Sequence, residues 1–468
     1  MRKQFIILVG TGLAFFCFQS VLMGNLFSSS EYATRRSRFM DKIPDGVAVI
    51  LGATPAHGGL GFRQNNDFFY FSGVEIPDAV LIMDGTHKES TLFFTISERQ
   101  ADEAGISLEL IRNPREVTGI EKVLARDQFS SYLSRYSVQP GVIYTKFKPE
   151  ELYRETSNEK FNALRRSMTR NQWDGRLTRE LQFVKQLEEK FSHITVKDCS
   201  PLIWNLRKIK SPAEIEVMRK AGQIAVKAHM AFIQSTRPGI KERELAALFE
   251  YICKKEGAQD LAFNTIIMSG KNHAYGHYDV YDRVLKNGDF LILDAGADYG
   301  HYKVDFSSSF PANGTFSPRQ RELYEAANAV RNICLSTYRP GITLSDVGRK
   351  LEELLLKRGI DVSDFSSRHF RGIIRWGGYN HPVGMAVHDV MGAMSGPDEM
   401  LQPGFVFACD IQIPKPEEER GIRLEDTVVI TEDGCEVLSS GIPRTIEEIE
   451  ALMKKDGIIQ ILKKAGHY

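Results

Sequence analysis

The chain has 468 residues, too many for one ordinary domain, so two or three domains are expected. Hydrophobic residues make up 42% and charged residues 26%, the composition of a soluble globular protein. Basic and acidic side chains balance at 60 each, which argues against a general nucleic-acid binder or a polybasic membrane binder and says nothing about fold.

The start of the chain, MRKQFIILVGTGLAFFCFQSVLMG, places Arg2 and Lys3 ahead of an apolar run from Phe5 to Met23. Residues 1–30 read as a signal peptide or an uncleaved anchor through residues 5–23. No small-x-small cleavage site follows, so both readings stay open. Either way the protein is expected to be exported: periplasmic, secreted or held at a membrane. Past this leader, Cys199, Cys253, Cys334, Cys409 and Cys435 form no CxxC pair. Buried free thiols are expected rather than a zinc ribbon or a redox motif.

RRSRFMDKIPDGVAVILGATP then reads as a helix followed by a strand. NNDFFYFSG, DAVLIMDG and STLFFTI supply further strand-like runs between turn residues. Residues 150–195 are charged and helix-friendly. Together these outline a smaller α/β domain over 35–195, with a boundary near 195–205. A long amphipathic helix opens the second domain, 200–455. Ser211 is its N-cap, Pro212 its first residue, and Glu214 completes a capping box.

The second half repeats itself. RPGIKERELAALFEYICKKEG begins at Arg237 and RPGITLSDVGRKLEELLLKRG at Arg339, and the register holds to the closing glycines Gly257 and Gly359. Leu245, Phe249 and Ile252 match Val347, Leu351 and Leu354 in apolar character. An old duplication accounts for the shared RPGI and the kept register better than chance likeness of two amphipathic helices. A duplicated α+β unit would bury its sheets together and leave a cleft between the halves.

Within that half, FLILDAGADYGHYKVDFSSSF places Asp294 at the end of an apolar run and Asp305 eleven residues on. A hairpin turning at Tyr299-Gly300 sets the two acids directly opposite each other, about 5 Å apart at Cβ. Two ionised carboxylates so placed cost several kcal/mol unless a cation or a proton intervenes. Downstream, WGGYNHPVGMAVHDV carries His381 and His388, and Asp410 interrupts the apolar run of PGFVFACDIQIP. Glu425 and Asp426 open the strand of GIRLEDTVVIT, with KPEEER as the hairpin loop between. Oxygen ligands with one imidazole suit two divalent ions, Mn²⁺ foremost, with Co²⁺ or Zn²⁺ as alternatives.

This order of Asp, Asp, His, acid and Glu resembles the pita-bread metallopeptidases: methionine aminopeptidase, aminopeptidase P and prolidase. FNTIIMSGKNHAYGHYD is similar to the segment carrying their first active-site histidine, which falls on His277. RRSRFMDKIPDGVAVIL and FRQNNDFFYFSGVEIPDAVLIM resemble the extra domain of the aminopeptidase P and prolidase branch. The resemblance covers roughly residues 35–450. It implies an α+β protein: a C-terminal pita-bread domain of duplicated α+β units with antiparallel sheets, behind a smaller α/β domain. By resemblance, Asp294 chelates one ion, Asp305 and Glu425 bridge both, and His381 and Asp410 hold the second. His277, His388 and Arg423 contact substrate, and Asp410 is the proton carrier. The implied reaction is cleavage of the bond between an N-terminal residue and a following proline, by attack of a hydroxide shared between the ions. A homodimer is implied by the same resemblance.

Three departures stand out. The fourth ligand is Asp410 where the family usually has Glu. The Pro-Gly that follows it is missing in CDIQIP, which leaves a substrate-pocket tyrosine without a match. The segment after Asp305 reads FSSSF, in place of the family's hydroxyl- and arginine-bearing segment. Two other functions stay open: a prolidase restricted to Xaa-Pro dipeptides, and a catalytically impaired peptide-binding module on the same fold.

Overall fold

The computed structural model describes residues 26–56, 61–138, 141–171, 173, 175–365 and 367–466; the apolar leader expected in residues 1–30 lies, up to residue 25, outside them. Six strands build the first sheet: β1 (Gly46–Leu51), β2 (Val80–Asp84), β3 (Glu89–Phe93), β4 (Lys122–Leu124), β5 (Gly141–Thr145) and β6 (Ile194–Asp198). Their spatial order is β4-β3-β2-β1-β5-β6, mixed parallel and antiparallel, as an α/β layer requires. NNDFFYFSG corrects the expectation of a strand. It forms the helix Asn66–Ser72, closed by Gly73. Every residue of that helix is buried, so its side chains carry no alternation of exposed and covered positions. An apolar run of that length does not by itself distinguish strand from helix.

The second half contains β7 (Asp260–Leu261), β8 (Ile266–Ser269), β9 (Phe290–Ala295), β10 (Ala297–Tyr299), β11 (Tyr302–Lys303) and β12 (Phe306–Pro311). It continues with β13 (His381–Pro382), β14 (Val406–Lys415), β15 (Arg420–Ile430) and β16 (Cys435–Val437). β11, β10 and β7 form a small sheet. The large sheet runs β13-β14-β15-β12-β9-β8, with β16 on β15. It is two antiparallel three-stranded units, β8-β9-β12 and β13-β14-β15, joined where β12 meets β15.

Each unit has its pair of helices: Pro212–Ser235 with Glu242–Lys255, and Pro318–Thr337 with Leu344–Arg358. Both long helices open on a capping box with proline in the first turn, Ser211 with Glu214 and Ser317 with Gln320. In both RPG turns the glycine N–H donates to a leucine carbonyl ahead of the unit's hairpin: Gly239 to Leu285 at 2.8 Å and Gly341 to Leu401 at 3.0 Å. The repeated segments therefore occupy matching places, and the pita-bread layout follows. One hydrophobic core runs from Phe39 and Phe71 of the first half through Phe232 and Leu291 to Phe407 of the second. Cys199, Cys253, Cys334 and Cys409 are buried free thiols, and Cys435 is half-buried. Among the described residues no helix is long and apolar enough to cross a membrane.

Candidate metal centre

The registers of the large sheet generate the site. Asp294 on β9 faces Ser307 on β12, Ser307 faces Glu425 on β15, and Glu425 faces Asp410 on β14. Directly opposed residues share a face, so these four form one row across four strands. Stepping two residues along a strand keeps the face. Asp305 therefore joins the row from β12's side and Arg423 from β15. His381, paired with Ala408, joins beside Asp410.

The hairpin differs from the expected one. Its turn is Gly300-His301, between the paired Tyr299 and Tyr302, and Asp294 faces Ser307 instead of Asp305. Gly300 and His301 both hold positive φ, +57° and +67°, the mirror-image turn that suits strand twist. Histidine enters that region more readily than tyrosine, so the turn moves on by one position. That displaces partners by two, and both aspartates stay on one face. Asp305 comes opposite Gly296, where any Cβ would meet the Val304 carbonyl oxygen at 1.7 Å. The backbones pass closely there, and only glycine fits.

Three of the expected ligands converge. One ligand atom each of Asp305, His381 and Glu425 lies within 4.8 Å of the others. His381 Nε2 is 3.5 Å from Asp305 Oδ2 and 3.4 Å from Glu425 Oε1. Asp294 and Asp410 stand outside this triad and are tied to it by Arg423. Its guanidinium contacts Asp294 Oδ2, and its Nη2 lies 3.0 Å from Asp410 Oδ2 and 3.1 Å from Glu425 Oε2. Arg423, expected at the substrate, is thus a buried counter-charge to three carboxylates.

The electrostatics follow from burial. Desolvation raises Asp294 well above the usual carboxylate range against the pull of Arg423. It likewise pushes Asp410 up to about 7. For Asp305, burial is outweighed by His381 and Arg423, and its carboxyl lies low. For His381, burial is outweighed by Asp305 and Glu425, which push the imidazole up to about 10. Burial thus makes the clustered carboxylates costly to ionise together, and His381 and Arg423 offset the charge that remains.

Five buried atoms there lack a hydrogen-bond partner: Asp294 Oδ1, Asp305 Oδ1, His381 Nε2, Asp410 Oδ1 and Glu425 Oε1. Each expected ligand thus keeps one atom without a hydrogen bond, and the second oxygen of every acid is held by a named hydrogen bond or ion pair. Unpaired buried polar atoms are costly, and hard oxygen donors with one imidazole fit divalent cations.

Several supporting residues escaped the sequence reading. Ser307 Oγ donates to Glu425 Oε2 at 2.8 Å, and Gln412 Nε2 donates to Asp410 Oδ2. Asp305 N–H donates to Thr427 Oγ1 at 2.8 Å. Ser309 Oγ accepts the Arg423 N–H at 2.9 Å and donates to its carbonyl at 3.0 Å. Small hydroxyls in FSSSF thus serve the neighbouring strand, and Ser307 leaves room between Asp294 and Glu425. Their signal was the period-two spacing of Ser307 and Ser309 with Asp305.

His388 is half-buried, its ring edge-on to His381 at 4.4 Å between centroids. His277 is exposed on the loop between β8 and β9. Partial desolvation by its neighbours lowers its pKa first, then the charges of Arg423 and His388, while Asp305 and Glu159 oppose them. His388 thus stands against His381 of the carboxylate row, and His277 feels the charges of Arg423, His388 and Asp305.

Residues 216–432 match the model of metallopeptidase family M24, and residues 32–144 match that of the aminopeptidase P N-terminal domain. The chain is 31% identical to the Xaa-Pro aminopeptidase of Escherichia coli (strain K12), over 91% of this chain and 98% of that relative. It is 28% identical to the Xaa-Pro dipeptidase of Homo sapiens, over 90% and 93%. The proline aminopeptidase P II structure from Yersinia pestis superposes with a TM-score of 0.72 at 28% identity, covering 92% of this chain and 100% of that one.

Proposed function

The chain belongs to metallopeptidase family M24, in its aminopeptidase P branch, and is a metal-dependent Xaa-Pro peptidase; from that premise we propose that it releases the N-terminal residue ahead of proline from peptides longer than two residues. The observation that carries the reading is the row of Asp294, Asp305, His381, Asp410 and Glu425, each buried or nearly so and each with one unpartnered ligand atom. These residues would hold two divalent ions, Mn²⁺ foremost. Such ions supply Lewis-acid polarisation of the peptide carbonyl and a water acidic enough to act near neutral pH.

The chain's own residues do the rest. Arg423 fixes the Asp294, Asp410 and Glu425 carboxylates relative to one another. Ser307 and Gln412 orient Glu425 and Asp410 so that one oxygen of each is left without a hydrogen bond. His277 and His388 stand at the rim, where an imidazole N–H can donate to the oxyanion as the carbonyl turns tetrahedral. Asp410 would take up a proton and return it to the leaving proline nitrogen. Proline as leaving group gives the specificity a physical basis: its amide has no N–H, so peptidases that bind that donor reject it.

The higher identity to the E. coli aminopeptidase, 31% against 28% for the human dipeptidase, favours open-ended peptides over dipeptides. Purified protein is stripped with a chelator, reloaded with Mn²⁺, Co²⁺ or Zn²⁺, and given an Xaa-Pro dipeptide beside an Xaa-Pro tripeptide. Metal-restored cleavage of the tripeptide is expected. Dipeptide cleavage alone would make it a prolidase, and metal binding without cleavage would make it a binding module. Export or anchoring by Arg2, Lys3 and the run from Phe5 to Met23 is proposed with this function, and so is a homodimer. Cell fractionation and sedimentation test them.

A further inference from the structure

His388 has a partner from outside the catalytic sheet. Its Nδ1–H donates to Glu159 Oε1 at 2.5 Å. Glu159 lies in the helix Ser157–Arg170, between residues 32–144 and 216–432, and so in neither matched family region. The carboxylate is itself fixed: Thr156 Oγ1 donates to its Oε2 at 2.8 Å, and Thr156 caps the same helix. The hydrogen bond from His388 draws the Glu159 carboxyl down to about 2, against the pull of burial.

One buried guanidinium sets both partners in place. Arg207 Nη1 donates to Glu151 Oε2 at 2.8 Å, and Glu151 Oε1 accepts the Ser157 N–H at 3.0 Å at the start of that helix. Arg207 Nη2 donates to Asp389 Oδ1 at 2.5 Å, next to His388 in sequence. Lys210 adds a second contact to Asp389 at 3.2 Å. The strap ahead of His388 is held by Asn66 and Lys303, which both donate to the Met385 carbonyl at 2.9 Å.

We infer that Glu159 is a positioning residue for the Xaa-Pro cleavage, orienting His388 so that its Nε2 faces the carboxylate row. A carboxylate on one ring nitrogen fixes the tautomer and direction of the other, and loss of such a partner costs about 10–100-fold. The Glu159 side chain is 58% exposed, so a merely structural role would leave little trace.

The inference rests on the proposed function, and wild-type enzyme is assayed alongside. If the wild type fails to cleave an Xaa-Pro tripeptide with metal, the functional reading falls instead. In metal-loaded enzyme, E159A is expected to lower kcat about tenfold or more with KM, bound metal and melting temperature unchanged. E159Q, which keeps an acceptor oxygen, should recover part of the rate. In an H388A background, E159A should cost nothing further. An equal loss in that background, a raised KM at constant kcat, or full activity in E159A overturns the inference. Should H388A fall below detection, the kcat-against-KM split and the E159Q rescue decide.

Discussion

Asp410 is one methylene shorter than the glutamate usual at its place, and its surroundings are built for the short side chain. Gln412, two residues on and on the same face, donates to Asp410 Oδ2, as does Arg423 Nε at 3.1 Å. Oδ1 is left free. The glutamine fills space that the family's glycine would leave open. Lengthening the acid therefore misplaces its carboxylate, and a misplacement of about 1 Å costs up to about a hundredfold in rate. We expect D410E to keep its full complement of metal by mass spectrometry and to lose rate, with D410E/Q412G recovering part of it. D305A and E425A should lose metal and activity together, because these residues form the 4.8 Å triad with His381. Full metal content in either would contradict their assignment as ligands.

β15 is the element with most at stake, because its two faces hold opposite chemistry. Glu425 faces the metal side, and Asp426 faces the helix Pro318–Thr337. Arg331 and Ser439 contact Asp426, and Arg444 adds a bond at 2.8 Å. Arg444 also donates to the Ser307 and Glu425 carbonyls, at 2.7 and 3.0 Å, and so clamps β12 to β15 from behind. Although burial alone would raise Asp426, the two arginines hold its carboxyl far below the usual range. A folded pKa below the unfolded one adds stability that is complete above about pH 4 and disappears as the pH falls further. D426N should therefore lower unfolding stability by about 3 kcal/mol or more at pH 7, since it leaves buried arginines unpaired. In denaturant titrations that deficit should shrink below pH 4; a constant deficit down to pH 2 would rule the ion pairs out as its source.

This element also shows what the sequence could reveal. The three residues that converge, Asp305, His381 and Glu425, were legible, because each interrupts an apolar run or sits among glycines. The hairpin turn falls one position later than the sequence suggests, because the φ angles that favour Gly300-His301 leave little mark in the sequence, yet each acid keeps its face. Ser307 was legible only through its period-two spacing with Asp305, and Gln412 and Glu159 were not legible at all. Their partners lie on other strands or in the other half, and no local pattern encodes such contacts. NNDFFYFSG failed for the converse reason: burial on all sides erases the period that tells helix from strand.

At the scale of the molecule, the two halves meet across ion pairs closed off from water. Arg207 contacts Asp67, Glu151 and Asp389, and Lys146 also reaches Asp67; the side chains of these residues are at most 3% exposed. His301, at the tip of the metal-site hairpin, stacks on Phe69 at 3.8 Å and contacts Glu75. The continuous core makes the halves one cooperative unit, and the metal-site strap is anchored in that interface. Burial, more than separation, decides what such a pair contributes. Arg99 and Glu103 lie 2.9 Å apart on the surface, close to the Arg207 distances, but water screens them. R207M should cost about 3–5 kcal/mol because it leaves three carboxylates buried without their arginine. It should also cut kcat, since Asp389 no longer anchors the strap beside His388. R99A should leave both the unfolding midpoint and the rate where they were. Chemical unfolding followed by fluorescence, with kcat measured on the same preparations, compares the two. Equal midpoints for R207M and R99A would mean that the buried network adds nothing to holding the halves together.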